Sequence, residues 1–94
     1  MAQKLADIDV QGRLAKVSGW SLQNGEIIRT VELKSFPAAL LLVCAVGHAA
    51  EAVQHHPDIV IKYNKVTFSL VTHDAGGLTE NDFAMAEKIN SLLS

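Results

Sequence analysis

Hydrophobic and polar residues follow two kinds of pattern along this chain, and together they predict five stretches of regular structure. Apolar residues recur at helical spacing in three segments, 6–16, 35–54 and 79–93. Shorter alternating runs, typical of paired strands, occupy 17–32 and 59–72. The order α-ββ-α-ββ-α predicts an α+β fold in which helices pack on one face of a four-stranded antiparallel sheet.

Turn and capping residues support these boundaries. Asn24-Gly25 predicts a type I′ hairpin, since both residues tolerate the positive φ that this turn requires. Asn64 suits the tight turn inside the second strand pair. Ser35 is a good cap for the long helix, and Pro37 falls in its first turn, where the missing N–H costs little.

The two other helices have weaker or different start signals. Asp7 or Asp9 is expected to cap the first helix, whose interior contains a glycine. Thr79 and Asp82 form a start similar to a capping box for the last helix. Asp82 therefore has a structural explanation as the capping carboxylate.

The helix predicted at 35–54 has no Asp, Glu, Lys or Arg between Phe36 and Ala50. A helix that is apolar nearly all round is buried on more than one face, whereas a single sheet covers only one. We therefore expect the other face to meet a second copy of the chain, in a homodimer or homotetramer. Its uninterrupted apolar run, 36–47, is too short to span a bilayer, which needs about 20 apolar residues.

Composition narrows the class of protein. The 94 residues are 49% hydrophobic and 19% charged, with a net charge of −2, which suits one globular domain covering 1–94. No two Lys or Arg residues are adjacent, so neither nucleic acid nor an anionic membrane is the expected partner. The single cysteine, Cys44, lies in an apolar run and is expected to be a small buried residue. The chain shows no secretory signal, and the expected location is the cytoplasm.

Three of the four histidines lie close together in the sequence and at the ends of predicted elements. His55-His56-Pro57 ends the long helix, because a proline disfavours helix at the residue before it. His73 follows the last strand, and a straight continuation would place it on the side of Thr67. Imidazole donates and accepts protons near neutral pH, so such a group suits a reaction that needs an acid and a base.

Two further residues share a helical face with His55. Glu51 lies four residues earlier, one turn away, where its carboxylate could orient the imidazole. His48 lies seven residues before His55, and we interpret it as a core or interface histidine.

The spacing of these residues also forms a known pattern. Glu51, His55-His56-Pro57, Tyr63, His73 and Asp82 follow one another at the intervals of the pterin-4a-carbinolamine dehydratase signature. The stretches QHHPD, YNKV and THDAGGLTENDF, together with Gly19-Trp20, extend the likeness along nearly the whole chain. The sequence therefore resembles this family. It departs from it at Asp58-Ile59, where the family often has an aromatic residue.

The resemblance implies an activity and roles for residues. Members of the family are hydro-lyases that convert a 4a-hydroxytetrahydropterin to the quinonoid dihydropterin, which recycles the pterin cofactor of aromatic amino acid hydroxylases. No metal or other cofactor is implied. By motif position, His55 and His73 are the expected acid and base, in either order, and His56 is expected to hold the pterin ring and to assist.

The remaining signature positions carry less definite roles. Glu51 is implied as a supporting carboxylate at the substrate, and Tyr63 and Asp82 are implied as substrate contacts. Family members are commonly dimers or tetramers built partly through helices.

Two other functions stay open at this stage. Three histidines and a glutamate could bind zinc, although the sequence lacks a His-Glu-x-x-His helix. The chain could also be a non-enzymatic module, either a pterin-binding protein or a dimerisation partner and coactivator of transcription factors. The apolar helix is compatible with a partner helix as well as with a second copy.

Overall fold

The computed structural model describes residues 2–93, and it shows three helices and one sheet. The helices are α1 (Asp7–Leu14), α2 (Phe36–Val53) and α3 (Glu80–Leu93). The strands are β1 (Ser21–Gln23), β2 (Glu26–Glu32), β3 (Asp58–Lys62) and β4 (Lys65–Leu70), and a short 3-10 turn covers His73–Ala75. This order confirms the predicted α-ββ-α-ββ-α arrangement.

The sheet is antiparallel throughout, with the strand order β1-β2-β4-β3. Alternate residues of the two central strands point to the helical side, where Ile27, Val66, Phe68 and Leu70 are fully buried. They pack with buried residues of α2 and α3, including Val46, in one core. The predicted fold class, an α+β domain with its helices on one face of the sheet, is confirmed.

Both hairpin turns use positive φ angles, but only one does so where the sequence predicts it. Asn24 and Gly25 have φ values of 52° and 80°, as expected for the turn between β1 and β2. Between β3 and β4 the residue with positive φ is Tyr63, at 54°. Asn64 instead connects this turn to the segment between β2 and α2, because its side-chain amide donates to the Leu33 carbonyl at 2.8 Å.

The helix boundaries agree with the prediction to within two residues, while the caps agree only in part. Ser35 caps α2 by accepting a hydrogen bond from the Ala38 N–H at 3.1 Å. At α1 the capping position is Ala6, and no side chain caps the helix. The predicted caps Asp7 and Asp9 are wrong, because both lie inside the first turn, where their charge favours the helix dipole.

Helix α2 buries one face within the chain and leaves apolar residues on another. Leu42 and Val46 lie in the core, while Leu40 and Leu41 are 42% and 72% exposed. Cys44 is also exposed, so the prediction of a buried cysteine is wrong. Its position on the open side of α2, opposite the core residues, explains the difference.

By length and composition alone, α2 could cross a membrane, and no other helix among residues 2–93 could. The helix continues past residue 47 to Val53, through His48 and Glu51, and its 18 residues have a mean hydropathy of 1.7. The helix is therefore longer than the apolar run 36–47 on which the expectation rests, and at 18 residues it stays just below the length of about 20 that spanning needs. A core helix passes the same test, and Leu42 and Val46 place α2 in the core of this fold.

One polar cluster holds the first hairpin against α3. The side-chain oxygen of Asn90, Oδ1, accepts hydrogen bonds from the Trp20 indole N–H at 2.9 Å and from the Arg29 guanidinium at 2.7 Å. Arg29 also donates to the Ser18 carbonyl. The guanidinium passes so close to Gly19 that a Cβ there would lie 2.6 Å from the Arg29 Cζ. Asn90 thus fixes one end of the sheet.

Candidate active site

The site begins where α2 stops. Gln54 adopts a left-handed conformation, with φ at 53°, and the His55 N–H donates to the Ala50 carbonyl, which ends the helix. The proline at position 57 then directs the chain into β3. As a result, His55 and His56 leave the helix in different directions and do not continue its faces.

His55 points toward the start of α3. Its Nε2 lies 2.6 Å from Oδ1 of Asp82, a carboxylate that is fully buried, while the imidazole itself is 14% exposed. A buried carboxylate needs such partners, because an unpaired charge in the interior is costly. The pair joins the end of α2 to the first turn of α3.

The second oxygen of Asp82 is equally constrained. Oδ2 accepts hydrogen bonds from the Thr79 N–H at 2.9 Å and from the Thr72 hydroxyl at 2.8 Å. The Thr72 hydroxyl uses its proton on Asp82, so it accepts from the Thr79 hydroxyl, 2.8 Å away. Asp82 therefore caps α3, as predicted, and also binds His55.

The network around Asp82 allows one tautomer of His55 to be assigned. An ionised carboxylate can only accept hydrogen bonds, so with Asp82 ionised we assign the proton to Nε2 of His55, which donates to Oδ1. The other ring nitrogen, Nδ1, makes no hydrogen bond within residues 2–93. Neutral His55 thus presents a free lone pair on Nδ1.

Glu51 contacts His56 and not His55, so the expected Glu51–His55 pair is wrong. Oε1 of Glu51 lies 2.8 Å from Nε2 of His56. The left-handed Gln54 breaks the helical repeat before His55, and the one-turn relation on which the expectation rests is lost. Hydrogen bonds from His56 and Gln54 hold the pKa of the exposed Glu51 carboxyl below its ordinary value of 4.5.

His73 lies in a tight loop and does not extend β4. The strand ends at Leu70, and Thr72 then pairs with Gly77: its N–H donates to the Gly77 carbonyl at 3.1 Å. Between them His73 opens a 3-10 turn and is exposed. The prediction that His73 continues the side of Thr67 is wrong, because the chain bends away from the strand direction.

The three histidines nevertheless border one cavity of about 230 Å³. Its lining is completed by four residues from the end of α2 and from the loop after β4, namely Gln54, Val71, Thr72 and Asp74. Asp82 lies behind His55, and Glu51 lies behind His56. Thr72 and Asp74, which adjoin His73 in the sequence, also line the cavity without having been predicted as site residues.

The predictions for Tyr63 and His48 have different outcomes. Tyr63 lies in the turn at the far end of β3 from His56 and is 72% exposed, so a single chain does not bring it to the cavity. His48 lines a separate, larger groove of about 760 Å³ between α2 and α3, together with His55, Met85 and Lys88. This groove is consistent with the interpretation of His48 as a core or interface residue.

The residues of the site suit proton transfer. Two imidazoles are paired with carboxylates, and a third, His73, is exposed on the other wall of the cavity. Within residues 2–93, no three side chains of the His, Cys, Asp or Glu type are grouped in a way that could hold a metal ion. The arrangement can supply a base, an acid and an oriented donor around a small polar substrate.

Comparison with known proteins places this arrangement in a family. A sequence profile described as pterin 4 alpha carbinolamine dehydratase matches residues 3–92. A relative from Roseiflexus sp. strain RS-1 is 48% identical over 93 residues, which cover 99% of this chain and 100% of the relative. A relative from Chloroflexus aurantiacus is 50% identical over 90 residues, covering 96% and 97%. Both are described as candidate pterin-4-alpha-carbinolamine dehydratases.

A solved structure agrees with the sequence comparisons. A protein from Brucella melitensis, described as a transcriptional coactivator/pterin dehydratase, superimposes with a TM-score of 0.94 at 30% identity, covering 98% of this chain and 100% of that one. The resemblance predicted from the histidine signature is thus confirmed along the chain. The protein belongs to the pterin-4a-carbinolamine dehydratase family of hydro-lyases.

Proposed function

We propose that the protein dehydrates a 4a-hydroxytetrahydropterin to the quinonoid dihydropterin, and so supports recycling of a pterin cofactor. The reaction breaks the C4a–O bond, removes the proton from N5 and forms a C4a=N5 double bond, while the hydroxyl leaves as water. The observation that carries the proposal is the cavity bordered by His55, His56 and His73, with His55 fixed by a buried carboxylate.

His55 is the base in this proposal. Its Nε2–H is held by Asp82, so the free Nδ1 is the nitrogen that can take the N5 proton. The imidazolium that forms lies beside a buried, ionised carboxylate, which stabilises the positive charge. Thr72 and the Thr79 N–H keep that carboxylate from rotating.

His73 is the acid. It lies on the loop after β4, facing the same cavity, and has no ion-pair partner within residues 2–93. It protonates the departing C4a oxygen, so that water leaves and not hydroxide. His56, held by Glu51, donates a hydrogen bond to the pterin ring and fixes its orientation.

Two of the substrate contacts implied by the signature act differently here. Asp82 works through His55 and does not border the cavity. Tyr63 stays a prediction, since it could contact substrate only if a second chain placed it there. The proposed proton transfers use these side chains and need no cofactor.

The exposed apolar face of α2 supports association of two or four copies. Leu40 and Leu41 are both more than two-fifths exposed on this face. Light scattering should give a mass of two or four chains, and Leu41→Asp should reduce it. A wild-type mass of one chain at micromolar concentration contradicts this part of the proposal. The cytoplasmic location, the single domain over 1–94 and the lack of a nucleic-acid or membrane partner stay predictions.

A second function is favoured by one observation. The Brucella melitensis structure is described as a transcriptional coactivator as well as a pterin dehydratase. The exposed face of α2 could bind a partner protein in place of a second copy of the chain, in a non-enzymatic role. The two functions use different surfaces, so a dehydratase could also act as such a module.

A turnover assay tests the proposal. The 4a-hydroxytetrahydropterin is generated in solution, and formation of the quinonoid product is followed by absorbance in the presence and absence of protein. His55→Ala and His73→Ala should each lower kcat by at least about a hundredfold. His48→Ala, which removes a histidine outside the cavity, serves as the matched control. A wild-type rate equal to the spontaneous rate refutes dehydratase activity.

A further inference from the structure

Strand β3 lies at one edge of the sheet, so one side of its backbone has no partner strand. The hydrogen bonds show which residues face that side. The Leu33 N–H donates to the Asn64 carbonyl at 2.8 Å, so the even-numbered residues of β4 bond to β2 and the odd-numbered ones bond to β3. The partners of these odd-numbered residues are the even-numbered residues of β3. The backbone groups of Ile59 and Ile61 therefore face the free edge.

The sequence of β3, Asp-Ile-Val-Ile-Lys, is complementary to itself in antiparallel pairing. A two-fold axis at Val60 places each Asp58 opposite the partner's Lys62, so that two ion pairs form across the axis. The same register sets Ile59 opposite the partner's Ile61, and these are the residues whose backbone groups face outward. A shift by two residues in either direction loses both ion pairs, so the charges select one register.

The exposure of β3 also suits such an interface. Val60 is 49% exposed, and Ile59 and Ile61 are only partly covered by the core. A free edge presents unpaired N–H and carbonyl groups, to which another strand can bond. The occupant that fits best is a second copy of the chain, because an identical strand supplies the opposite charge at both ends of β3.

This register brings Tyr63 of one copy to the histidine cavity of the other. Counted from the axis at Val60, the partner's Tyr63 lies opposite Pro57, the residue that follows His56. His56 borders the cavity, which lies at the end of the sheet where β3 begins. We propose that two copies pair along β3 and that the partner's Tyr63 closes the cavity beside His56 and contacts the substrate. This inference rests on the proposed function.

The conformation of Tyr63 supports a role for its side chain. Its φ of 54° lies in the left-handed region, which glycine or asparagine occupies at lower cost than an aromatic residue. The side chain is 72% exposed and is not part of the hydrophobic core, so packing within one chain does not explain an aromatic residue in this turn. Against a pterin, the phenol supplies a flat apolar face and a hydroxyl for hydrogen bonding.

Charge reversal tests the pairing without reference to turnover. Asp58→Lys leaves only basic charge on β3 and Lys62→Asp leaves only acidic charge, so each variant repels its own copies. Each should have half the wild-type mass by light scattering, and their 1:1 mixture should recover the wild-type mass. The neutral variant Asp58→Asn should keep the wild-type mass, since the backbone bonds remain. A wild-type mass of one chain, or unchanged masses for both reversed variants, overturns the pairing.

The same charges direct the assembly of mixed pairs that locate the action of Tyr63. In the first pair, Tyr63→Ala is on the Asp58→Lys chain and His55→Ala is on the Lys62→Asp chain. In the second pair, Tyr63→Ala and His55→Ala are both on the Asp58→Lys chain. Only the first pair has a site in which His55 meets an intact Tyr63 of the partner subunit. Its kcat/KM should exceed that of the second about fivefold to tenfold. The reverse order, or equal values, overturns the contact.

A binding measurement separates this inference from the proposed function. Calorimetry gives the Kd of a 7,8-dihydropterin for wild type, Tyr63→Ala and Asp58→Lys. Both variants should bind more weakly by a similar factor, since each removes the partner's Tyr63, and the Lys62→Asp chain should restore the affinity of Asp58→Lys alone. An Asp58→Lys protein of half mass that binds as wild type does overturns the contact and leaves the dehydratase proposal intact. Weaker binding by both variants, with a wild type that shows no turnover, supports the contact and refutes dehydratase activity.

Discussion

Replacing Asp82 with asparagine perturbs the site through a single proton. The carboxylate accepts from three donors, and the Thr79 backbone N–H cannot change its role. An asparagine side chain has only one acceptor oxygen, and it accepts the hydrogen bonds from the Thr79 N–H and the Thr72 hydroxyl. The amide NH₂ must then face His55, where Nε2–H was the donor. His55 avoids two opposed donors by moving its proton to Nδ1.

The change removes the free lone pair from the cavity. With the proton on Nδ1, His55 can no longer accept the proton from N5, and the charge that stabilised its imidazolium is also gone. General-base catalysis contributes about 10²–10⁴ in rate, and tenfold corresponds to about 1.4 kcal/mol. We expect Asp82→Asn to lower kcat by at least about a hundredfold, close to 3 kcal/mol, with a much smaller change in KM.

The assay is the absorbance assay of quinonoid product, with Asp58→Asn on the exposed start of β3 as the matched control. Thermal unfolding checks that the variant is folded, because losing a charge-assisted hydrogen bond costs about 1.5–3 kcal/mol. Nitrogen-15 NMR of the His55 ring reports the tautomer directly. A folded Asp82→Asn protein that retains more than half of the wild-type kcat refutes the assignment of His55 as the base held by Asp82.

Two further predictions concern stability. Because the pKa of Glu51 is lowered in the fold by His56, the stabilisation that this pair provides is present above the ordinary pKa of 4.5 and is lost as the pH falls through the lowered value. Thermal unfolding of Glu51→Gln should thus differ from wild type above that pH and converge with it in acid; a constant difference contradicts the pairing. Asn90→Ala should lower the free energy of unfolding by about 2–4 kcal/mol, since Trp20 and Arg29 lose their shared acceptor. Urea unfolding measures this, and a loss below about 0.5 kcal/mol would show that water replaces the Asn90 side chain.

Local sequence signals predict the turns, the cap of α2 and the buried strand faces of this fold. Asn24-Gly25 turns the first hairpin, Ser35 caps α2, and the alternation of the last strand buries Phe68. Each of these depends on neighbours in the sequence, and short-range physics specifies them. The histidine signature predicted the family for the same reason, since its spacing is readable without a structure.

The partners of the histidines could not be predicted in this way. Glu51 was expected to orient His55 by helical spacing, but one residue with positive φ redirects the chain and gives Glu51 to His56. Asp82 is 27 positions from His55, and the helical packing that joins them has no local signal. Thr72 is missed for the same reason, because its role depends on a contact with α3.

In the proposed mechanism, His55 and His73 together catalyse the dehydration. Stopped-flow measurement of quinonoid product with the double variant His55→Ala/His73→Ala, alongside wild type and the buffer blank, tests it most directly. We expect the wild-type rate to exceed that of the blank clearly and the rate of the folded double variant to equal it. A double variant that keeps accelerating dehydration as wild type does would contradict it.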